Sequence, residues 1–470
     1  MFSYPDEGRQ PTYADVLRGF GQDAELPFGD VLPEQRVLDI AAEEGVAFGN
    51  EPDAVYTPPV TLFGWLAQCL SGEKSCVAAV ARVIVLRIAL GLAPCSAATG
   101  GYCRARAKLP ERFVQRLCLE VGTAVEDQAP DAWRWKGHRT LLVDGFTASM
   151  PDTPENQAEY PQSRSQRAGL GFPIIRAVVL LTFATAGAVG CAMGPCKGKE
   201  TGETALFRQL TQQIRRGDVA VFDRYFCSYW QMAMLRERGA DGCARMHARR
   251  KYDFRRGRRL GAGDHVVEWC KPARPQWMDE AVYAAIPDTL TMREVRFNVT
   301  EPGCRTEEIV VATTLLDTET YSKADIADLY HYRWHVELDI RAIKQTLKMD
   351  VLTCQTPEMV RKEVWMHLLA YNLVRAGIAQ AAMQQGKTPR QLSFAGAKQT
   401  LNAFRWLLML SEGQGRRRFV RALAVAIGTH VVGNRPGRTE PRAVKRRSRK
   451  YPLLRQPRQQ AREALLHGAA

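Results

Sequence analysis

Residues 139–144 read RTLLVD, a short apolar run that ends in an acid, and residues 218–223 repeat this pattern as DVAVFD. Runs of this kind predict buried β-strands, because a strand covered on both faces needs no alternating polar positions. Between them lie two strand-sized runs within 173–194 and a segment with helical spacing at 203–216, and a further helix is predicted at about 228–238. Three successive strands followed by alternating helix and strand predict a mixed α/β sheet.

One part of this region, residues 177–196, carries no charge and is long enough to cross a membrane. It contains glycines, threonines and a proline, however, and Ala186-Gly187 divides it into two halves of strand length. A buried β-hairpin is therefore favoured over a membrane helix, and we expect no membrane partner.

The charge of the whole chain points to a polyanionic partner. The 470 residues include 65 Lys and Arg against 50 Asp and Glu, which leaves 65 − 50 = +15, and 46% of the residues are hydrophobic. This composition supports a folded core and excludes a collagen-like or disordered protein. Nucleic acid is the first candidate for the partner. Two segments concentrate the charge, 245–259 and 434–462, and each is either a solvated stretch or a nucleic-acid contact.

The remaining segments extend outward from the α/β core. Residues 1–135 have helical patterns and predict a domain that either contacts DNA or serves for packing. Residues 241–316 contain three runs rich in β-branched residues and predict a β-rich insertion. The predicted boundaries are 1–135 for the helical domain, 136–240 and 317–383 for the two parts of the α/β domain, 241–316 for the insertion, 384–433 for a helical C-terminal region and 434–470 for a basic tail.

The cysteines and the N-terminus favour a cytoplasmic location. The twelve cysteines are scattered without a CxxC pair, which predicts reduced thiols rather than a disulfide framework or a zinc site. The first ten residues, MFSYPDEGRQ, are polar and do not form a signal peptide.

A long helix predicted over Tyr321–Lys348 carries an unusual polar stripe. At about 100° per residue, Tyr330, Arg333, Glu337 and Lys344 fall on one side of it. Apolar residues fill the adjoining stripe: Leu329, Val336, Ile340, Ile343 and Leu347. Glu337 is therefore predicted at the margin of the core. Taken alone, an acid among bases describes a salt-bridged surface helix equally well.

Two further acids, Asp144 and Asp223, change this balance because each closes an apolar run of the predicted sheet. A single strand-end Asp more often forms a turn or caps a helix. Two of them on neighbouring strands beside Glu337 would repel one another unless a cation were bound. Oxygen ligands suit Mg²⁺ or Mn²⁺, and two such ions stabilise an in-line displacement at phosphorus. Arg333 and Lys344 would then hold phosphate oxygens.

The spacing Tyr330-x2-Arg333-x3-Glu337-x6-Lys344 resembles the YREK signature of DDE transposases in the insertion-sequence-four family. The blocks LLVDGFTASMPDTPEN around Asp144, VAVFDRYF around Asp223 and VVATTLLD at 310–317 are similar to other parts of that family, although it often has Gly where this chain has Tyr225. The segment at 434–454 is similar to its C-terminal ending. The resemblance covers roughly residues 50–460.

This resemblance implies an RNase H-like catalytic domain with a β-rich insertion between the second Asp and the Glu. It implies cut-and-paste transposition, in which Asp144, Asp223 and Glu337 bind two Mg²⁺ or Mn²⁺ ions. The partners implied are double-stranded DNA, as terminal inverted repeats and target, and a second copy of the chain in a synaptic complex, in the cytoplasm and at the nucleoid.

The resemblance also extends the set of DNA-contacting residues. Tyr330, Arg333 and Lys344 would contact DNA, and Arg341 and Lys348 flank the same stripe. Some relatives stack an aromatic residue of the insertion on a flipped base, and the candidates here are Trp269 and Trp277, with a core role as the alternative.

Two other functions remain open at this point. One is an RNase H-fold nuclease or resolvase that cuts DNA without joining ends, and the other is an inactive, transposon-derived DNA-binding protein. The presence of all three carboxylates and both bases of the signature argues against the inactive protein.

Overall fold

The computed structural model describes residues 8–23, 26–247, 250–298, 308–433 and 453–467, and its centre is one β-sheet. Nine strands of these residues belong to the sheet. They are β1 (Thr140–Ser149), β2 (Ile174–Thr182), β3 (Ala188–Pro195), β4 (Val219–Phe222), β5 (Asp241–Arg245), β6 (Arg258–Gly261), β7 (Asp264–Cys270), β8 (Thr289–Asn298) and β9 (Glu308–Thr313).

The order across the sheet is β3-β2-β1-β4-β5-β9-β8-β7-β6. Strand β1 pairs in parallel with β4, and β4 in parallel with β5, whereas the other neighbours are antiparallel. The five strands β1–β5 form the mixed sheet that the apolar runs predict, with the topology expected of an RNase H-like fold. The predicted insertion, 241–316, begins with β5, which pairs with β4, and β9 pairs with β5 in turn, so the strands of this segment continue the same sheet.

The uncharged segment 177–196 forms the hairpin of β2 and β3, as predicted. Its residues are almost all buried, because the sheet is covered on both faces. Among the helices of the described residues, none combines the length and apolar character needed to cross a bilayer.

Sixteen helices of the described residues surround the sheet. They are α1 (Tyr13–Arg18), α2 (Glu34–Glu43), α3 (Pro58–Leu70), α4 (Cys76–Ala89), α5 (Gly100–Lys108), α6 (Glu111–Asp127), α7 (Pro154–Glu159), α8 (Glu203–Arg208), α9 (Tyr229–Glu237), α10 (Glu280–Ala285), α11 (Lys323–His331), α12 (Trp334–Arg341), α13 (Pro357–Gln384), α14 (Phe394–Leu410), α15 (Gly413–Thr429) and α16 (Arg458–Leu466). In the described part of residues 8–135 the regular elements are helices, as predicted. The helix predicted at 203–216 is shorter, since α8 ends at Arg208 and only a 3₁₀ turn follows.

The two faces of the sheet are buried by different helices. Alternate residues of β1 and β4, including Leu142 and Val221, belong to a large core shared with α6, α12 and α13. The residues between them, including Leu141 and Phe222, belong to a second core with α8 and α9. Asn372 of α13 fixes the first core, because its amide donates hydrogen bonds of 2.9 Å to carbonyls in both α6 and β3.

The segment Tyr321–Lys348 does not form the one continuous helix that was predicted. It is divided into α11, α12 and a π-helical turn at Ala342–Thr346. At the first break the N–H of Arg333 bonds to the carbonyl of Tyr330, three residues back, and at the second the N–H of Leu347 bonds to Ala342, five residues back. These tighter and wider turns change the rotation per residue, so a regular 100° step does not hold along the segment.

The predicted basic tail lies largely outside the described residues. Within it the structure describes residues 453–467, which contain α16. Of the basic segment 245–259, residues 248 and 249 also lie outside the described part.

Candidate active site

Asp144 and Asp223 lie side by side on one face of the sheet. The parallel pairing of β1 and β4 aligns Leu142 with Val221, so Asp144 and Asp223, two residues further along each strand, are level with each other. Because side chains alternate along a strand, both acids share the face on which Leu142 and Val221 are buried. Asp223 follows the last residue of β4 as expected, whereas Asp144 lies inside β1, which continues for five more residues.

Glu337 approaches this face on α12. The apolar stripe predicted for the helix is present, and Val336 and Ile343 are fully buried in the core beneath that face. Glu337 stays partly exposed, and its Oε1 accepts a hydrogen bond of 2.9 Å from Nη2 of Arg333. The positive charge of Arg333 also acts on Asp144. Arg333 therefore connects the helical acid electrostatically with the strand acids.

The surroundings of Asp144 raise its pKa. Burial raises its pKa to about 6, and the negative charges of Asp223 and Glu203 add to that rise. The N–H of Gly145, which donates a 2.8 Å hydrogen bond to Oδ1 of Asp144, and the charge of Arg333 oppose it. A desolvated carboxylate among other acids is a group whose charge a bound cation would stabilise.

Glu203 is a fourth acid at this place, and the sequence interpretation missed it. It lies in the first turn of α8, on the second face of the sheet, and its carboxylate covers Gly145 so closely that a Cβ there would lie 2.6 Å from Oε1. Burial raises the pKa of Glu203, the charge of Arg176 opposes that rise, and the charge of Asp223 adds to it. In sequence Glu203 is an ordinary acid at a helix start, which the helix dipole alone would explain.

The donor atoms present fit a hard divalent cation, since all four acids offer carboxylate oxygens. The described residues nevertheless contain no preassembled group of three or more His, Cys, Asp or Glu side chains around one metal position. Glu337 is instead held by Arg333. A metal bound by Asp144, Asp223 and Glu337 would therefore require the Glu337 side chain to leave Arg333 and turn towards the strands.

The other residues of the signature have separate environments. Tyr330 is buried in the core rather than exposed on the polar stripe, and burial raises its pKa to about 12. Arg333 lies 5.9 Å from the centre of its ring. The prediction that Tyr330 contacts DNA directly is therefore not supported in this conformation. Its ring instead packs beneath the guanidinium of Arg333.

A shallow groove lies beside Glu337, along the exposed side of α12 and the π-helical turn that follows it. It is lined by Glu337, Ile340, Arg341, Lys344, Gln345 and Asp350. Arg341 and Lys344, both predicted to contact DNA, thus lie on one surface with the acid. Lys348 follows the π-helical turn, is exposed, and donates a 2.6 Å hydrogen bond to the carbonyl of Gly72. Trp334 and Leu338, which the sequence interpretation did not single out, are also exposed on α12.

The two tryptophans proposed for base stacking differ in accessibility. Trp269 is 4% exposed, donates a 2.9 Å hydrogen bond to Glu294, and is covered by the guanidinium of Arg250 at 3.3 Å from its ring centre. In this conformation it is a core residue, which was the alternative considered for it. Trp277 is half-buried, with Arg208 at 3.8 Å over its ring.

Comparison with known proteins identifies the family of the chain. The family described as "Transposase DDE domain" matches residues 135–373, more than half of the chain. The transposase InsG of insertion sequence element IS4 from Escherichia coli K12 is 29% identical over 369 residues, which cover 76% of this chain and 78% of InsG. The transposase of element IS421 from Escherichia coli is 34% identical over 65 residues, or 14% of this chain and 18% of that protein.

Among solved structures, a piggyBac transposase in a synaptic complex with hairpin DNA aligns with a TM-score of 0.42 and 9% identity, covering 90% of this chain and 87% of that one. The family match includes both strands that carry Asp144 and Asp223 and the helix that carries Glu337. The chain therefore belongs to the DDE transposases.

Proposed function

We propose that Asp144, Asp223 and Glu337 are the catalytic carboxylates with which this DNA transposase cuts the ends of its element and joins them to target DNA. The observation that carries the proposal is the alignment of Asp144 with Asp223 on the face of the sheet against which α12 packs. Three acids distant in sequence are thereby directed to one region. The alternatives of a nuclease without strand transfer and of an inactive protein are not favoured by the transposase relatives.

DDE transposases generally use divalent metal ions. In our proposal the three carboxylates hold two Mg²⁺ or Mn²⁺ ions, which when bound would activate a water or a 3′-hydroxyl and stabilise the leaving oxygen. Asp144 supplies a desolvated carboxylate, while Glu337 is held by the guanidinium of Arg333, whose charge also acts on Asp144. Once Glu337 turns to the metal, the guanidinium of Arg333 is free to hold a phosphate oxygen.

The groove beside Glu337 supplies the binding surface for one DNA strand. Arg341 and Lys344 line it, so their cations would lie along the strand next to the scissile phosphate. In this proposal residues 136–240 and 317–383 form the catalytic domain, while 1–135, 241–316 and 384–470 contribute further contacts. The DNA partners are terminal inverted repeats and target DNA, bound in the cytoplasm and at the nucleoid by a homodimer that brings two ends together.

Replacing each carboxylate separately tests the proposal. Asp144→Ala, Asp223→Ala and Glu337→Ala should each abolish nicking of a duplex that carries one element end, and each should still bind that duplex. Asp152→Ala is the matched control, because Asp152 is an exposed acid eight residues beyond Asp144 whose contact is Gln157. Full-rate nicking by any of the three variants, or loss of end binding in all of them, would contradict the assignment. Joining of a precut end to plasmid DNA separates a transposase from a simple nuclease.

A further inference from the structure

Three lysines from distant parts of the chain meet where the catalytic helical segment ends. Lys74 comes from the loop between α3 and α4, Lys348 follows the π-helical turn, and Lys398 lies on α14. We call these three residues the lysine cluster. Since the N-terminal helices, the catalytic helix and the C-terminal helices each contribute one member, the cluster exists only in the folded chain.

Each lysine is held in place by a backbone carbonyl of another element. The ammonium of Lys398 donates a 2.7 Å hydrogen bond to the carbonyl of Thr346, and that of Lys348 donates one of 2.6 Å to Gly72. The ammonium of Lys74 donates to the carbonyl of Lys348. Lys348 itself has a φ of +57°, which non-glycine residues rarely adopt, so these bonds fix an uncommon backbone at this position.

The lysine cluster retains positive charge and unused hydrogen-bond donors. Burial lowers the pKa of Lys398, and the charges of Lys348 and Lys74 lower it further. Burial and the charge of Lys348 also lower the pKa of Lys74, although Glu363 and Asp350 act in the opposite direction. An ammonium has three donors, and in the described part of the chain we find one acceptor for each of the three lysines. Repelling cations with free donors favour a bound anion.

The position of the lysine cluster relative to Glu337 identifies the anion. The groove lined by Glu337 and Lys344 also includes Asp350, which is two residues beyond Lys348 in the chain. A continuous α-helix over the eleven residues from Glu337 to Lys348 would span about 16 Å at 1.5 Å per residue. The π-helical turn at Ala342–Thr346 lies within this segment and has a smaller rise per residue, so the separation is of about that size or shorter. At about 3.4 Å per nucleotide, a strand lying in the groove would place a phosphate there about five nucleotides from the scissile one.

We propose that the lysine cluster is a binding site for a single DNA phosphate, about five nucleotides from the position of cleavage. This inference rests on the proposed function, because it uses Glu337 to locate the scissile phosphate. The competing interpretation is purely structural: Lys74 and Lys398 cap the C-terminal carbonyls of the helical segment, where cations are favoured by the helix dipole.

The salt dependence of binding separates the two interpretations. The binding of a fluorescent duplex carrying one element end is measured across a series of salt concentrations, without divalent ions, in the Asp144→Asn background. Because no cleavage is needed, failure of the proposed catalytic function does not affect the result. Lys74→Gln and Lys398→Gln should each weaken binding and make the slope of log K against log salt less steep by up to about 1, whereas Lys74→Arg and Lys398→Arg should retain most of it.

Lys323→Gln is the matched control. Lys323 begins α11 at the other end of the catalytic segment, and its ammonium also donates to a backbone carbonyl, that of Ala262. It should leave the slope unchanged. A Gln variant with a lower melting temperature but a wild-type slope would support the capping role and overturn the proposal. If the Gln variants do not fold, the Arg variants and the DNA substitutions below still test the site.

Neutral methylphosphonates, placed one at a time in the element end, then locate the phosphate. Wild-type protein should lose affinity at a position about five nucleotides from the cleavage site. Lys74→Gln and Lys398→Gln should be insensitive to the substitution at that position, because the contact is already lost. The proposal would be overturned if the Gln variants lost further affinity with a methylphosphonate at every position, additively to the loss from the mutation. It would also be overturned if the wild type had no sensitive position between about three and seven nucleotides from the cleavage site.

Discussion

Replacement of Asp339 should destabilise the protein far more than replacement of an ordinary surface acid. Asp339 lies on α12, two residues after Glu337, and its side chain is 3% exposed. Its carboxylate forms ion pairs of 2.6 Å with Arg375 and 2.7 Å with Arg390. Arg390 also donates hydrogen bonds to the carbonyls of Thr182 and Phe183 at the hairpin of β2 and β3. Asp339 thus attaches α12 to α13 and to the sheet.

Asp339→Ala leaves two nearly buried guanidinium groups without their shared negative charge. Removing one partner of a buried ion pair typically lowers the free energy of unfolding by about 3–5 kcal/mol. At about 2 °C per kcal/mol for a large domain, the melting temperature should fall by about 6–10 °C. Asp131→Ala is the matched control, because Asp131 also pairs with an arginine, Arg134 at 3.4 Å, but is 86% exposed. Such a pair contributes about 0–1 kcal/mol.

The assay is thermal unfolding of both variants at low and high salt. Screening reduces the effect of an exposed pair but hardly reaches a buried one, so the loss for Asp339→Ala should persist in high salt. A melting temperature within about 1 °C of the Asp131→Ala control would refute the reasoning, as would a loss that disappears on adding salt. Nicking measured well below both melting temperatures should also fall, because α12 loses its attachment beside Glu337.

Further predictions concern packing, pH and the tryptophans. Gly122→Ala should destabilise the protein by about 1–3 kcal/mol, because the new Cβ would lie 2.1 Å from the carbonyl oxygen of Ala188. Gly415→Ala, where the new Cβ would lie in open space on α15, should instead raise the melting temperature slightly. Asp144→Asn should stabilise the protein when no metal is added. The folded pKa of Asp144, about 6, exceeds the ordinary value of 3.8, so the wild type loses stability as the pH rises from about 4 to 6. Melting curves of the two proteins in EDTA should therefore differ at pH 8 and converge at low pH. Trp269→Ala should lower the free energy of unfolding by about 3–5 kcal/mol, because Trp269 is buried. Trp277→Ala should fold normally but reduce the fluorescence of 2-aminopurine placed at the element end, and unchanged fluorescence would exclude stacking by Trp277.

The sheet and the position of its two acids were predictable from the sequence because both depend on local pattern. Apolar runs at 139–144 and 218–223 are buried on both faces, and burial of that kind leaves a continuous apolar signal. The apolar stripe of α12 is likewise a local pattern, and Val336 and Ile343 are buried as it predicts. Strand β1 extends five residues beyond Asp144, because its pairing with β2 continues past the apolar run as far as Ser149.

The rest depends on geometry that a helical wheel does not contain. The turns of different width around Arg333 and after Arg341 rotate the segment away from a regular helix, which is why Tyr330 enters the core instead of the polar stripe. Glu203 reaches Gly145 across a separation of 58 residues, and only the missing Cβ of that glycine makes room for it. Asp339 appears in sequence as one more acid in a charged helix, and its partners Arg375 and Arg390 are known only from the fold.

The balance of charge explains why a chain of net charge +15 contains an acidic centre. Asp144 and Asp223 repel each other and would also repel a DNA phosphate, and among the charges acting on Asp144, that of Arg333 is attractive. Arg341 and Lys344 lie outside this centre, along the groove. The protein alone can therefore hold DNA beside the acids without bringing the scissile phosphate between them. Cleavage then requires added divalent charge at the acids, so binding of an element end should tolerate removal of metal while nicking should not.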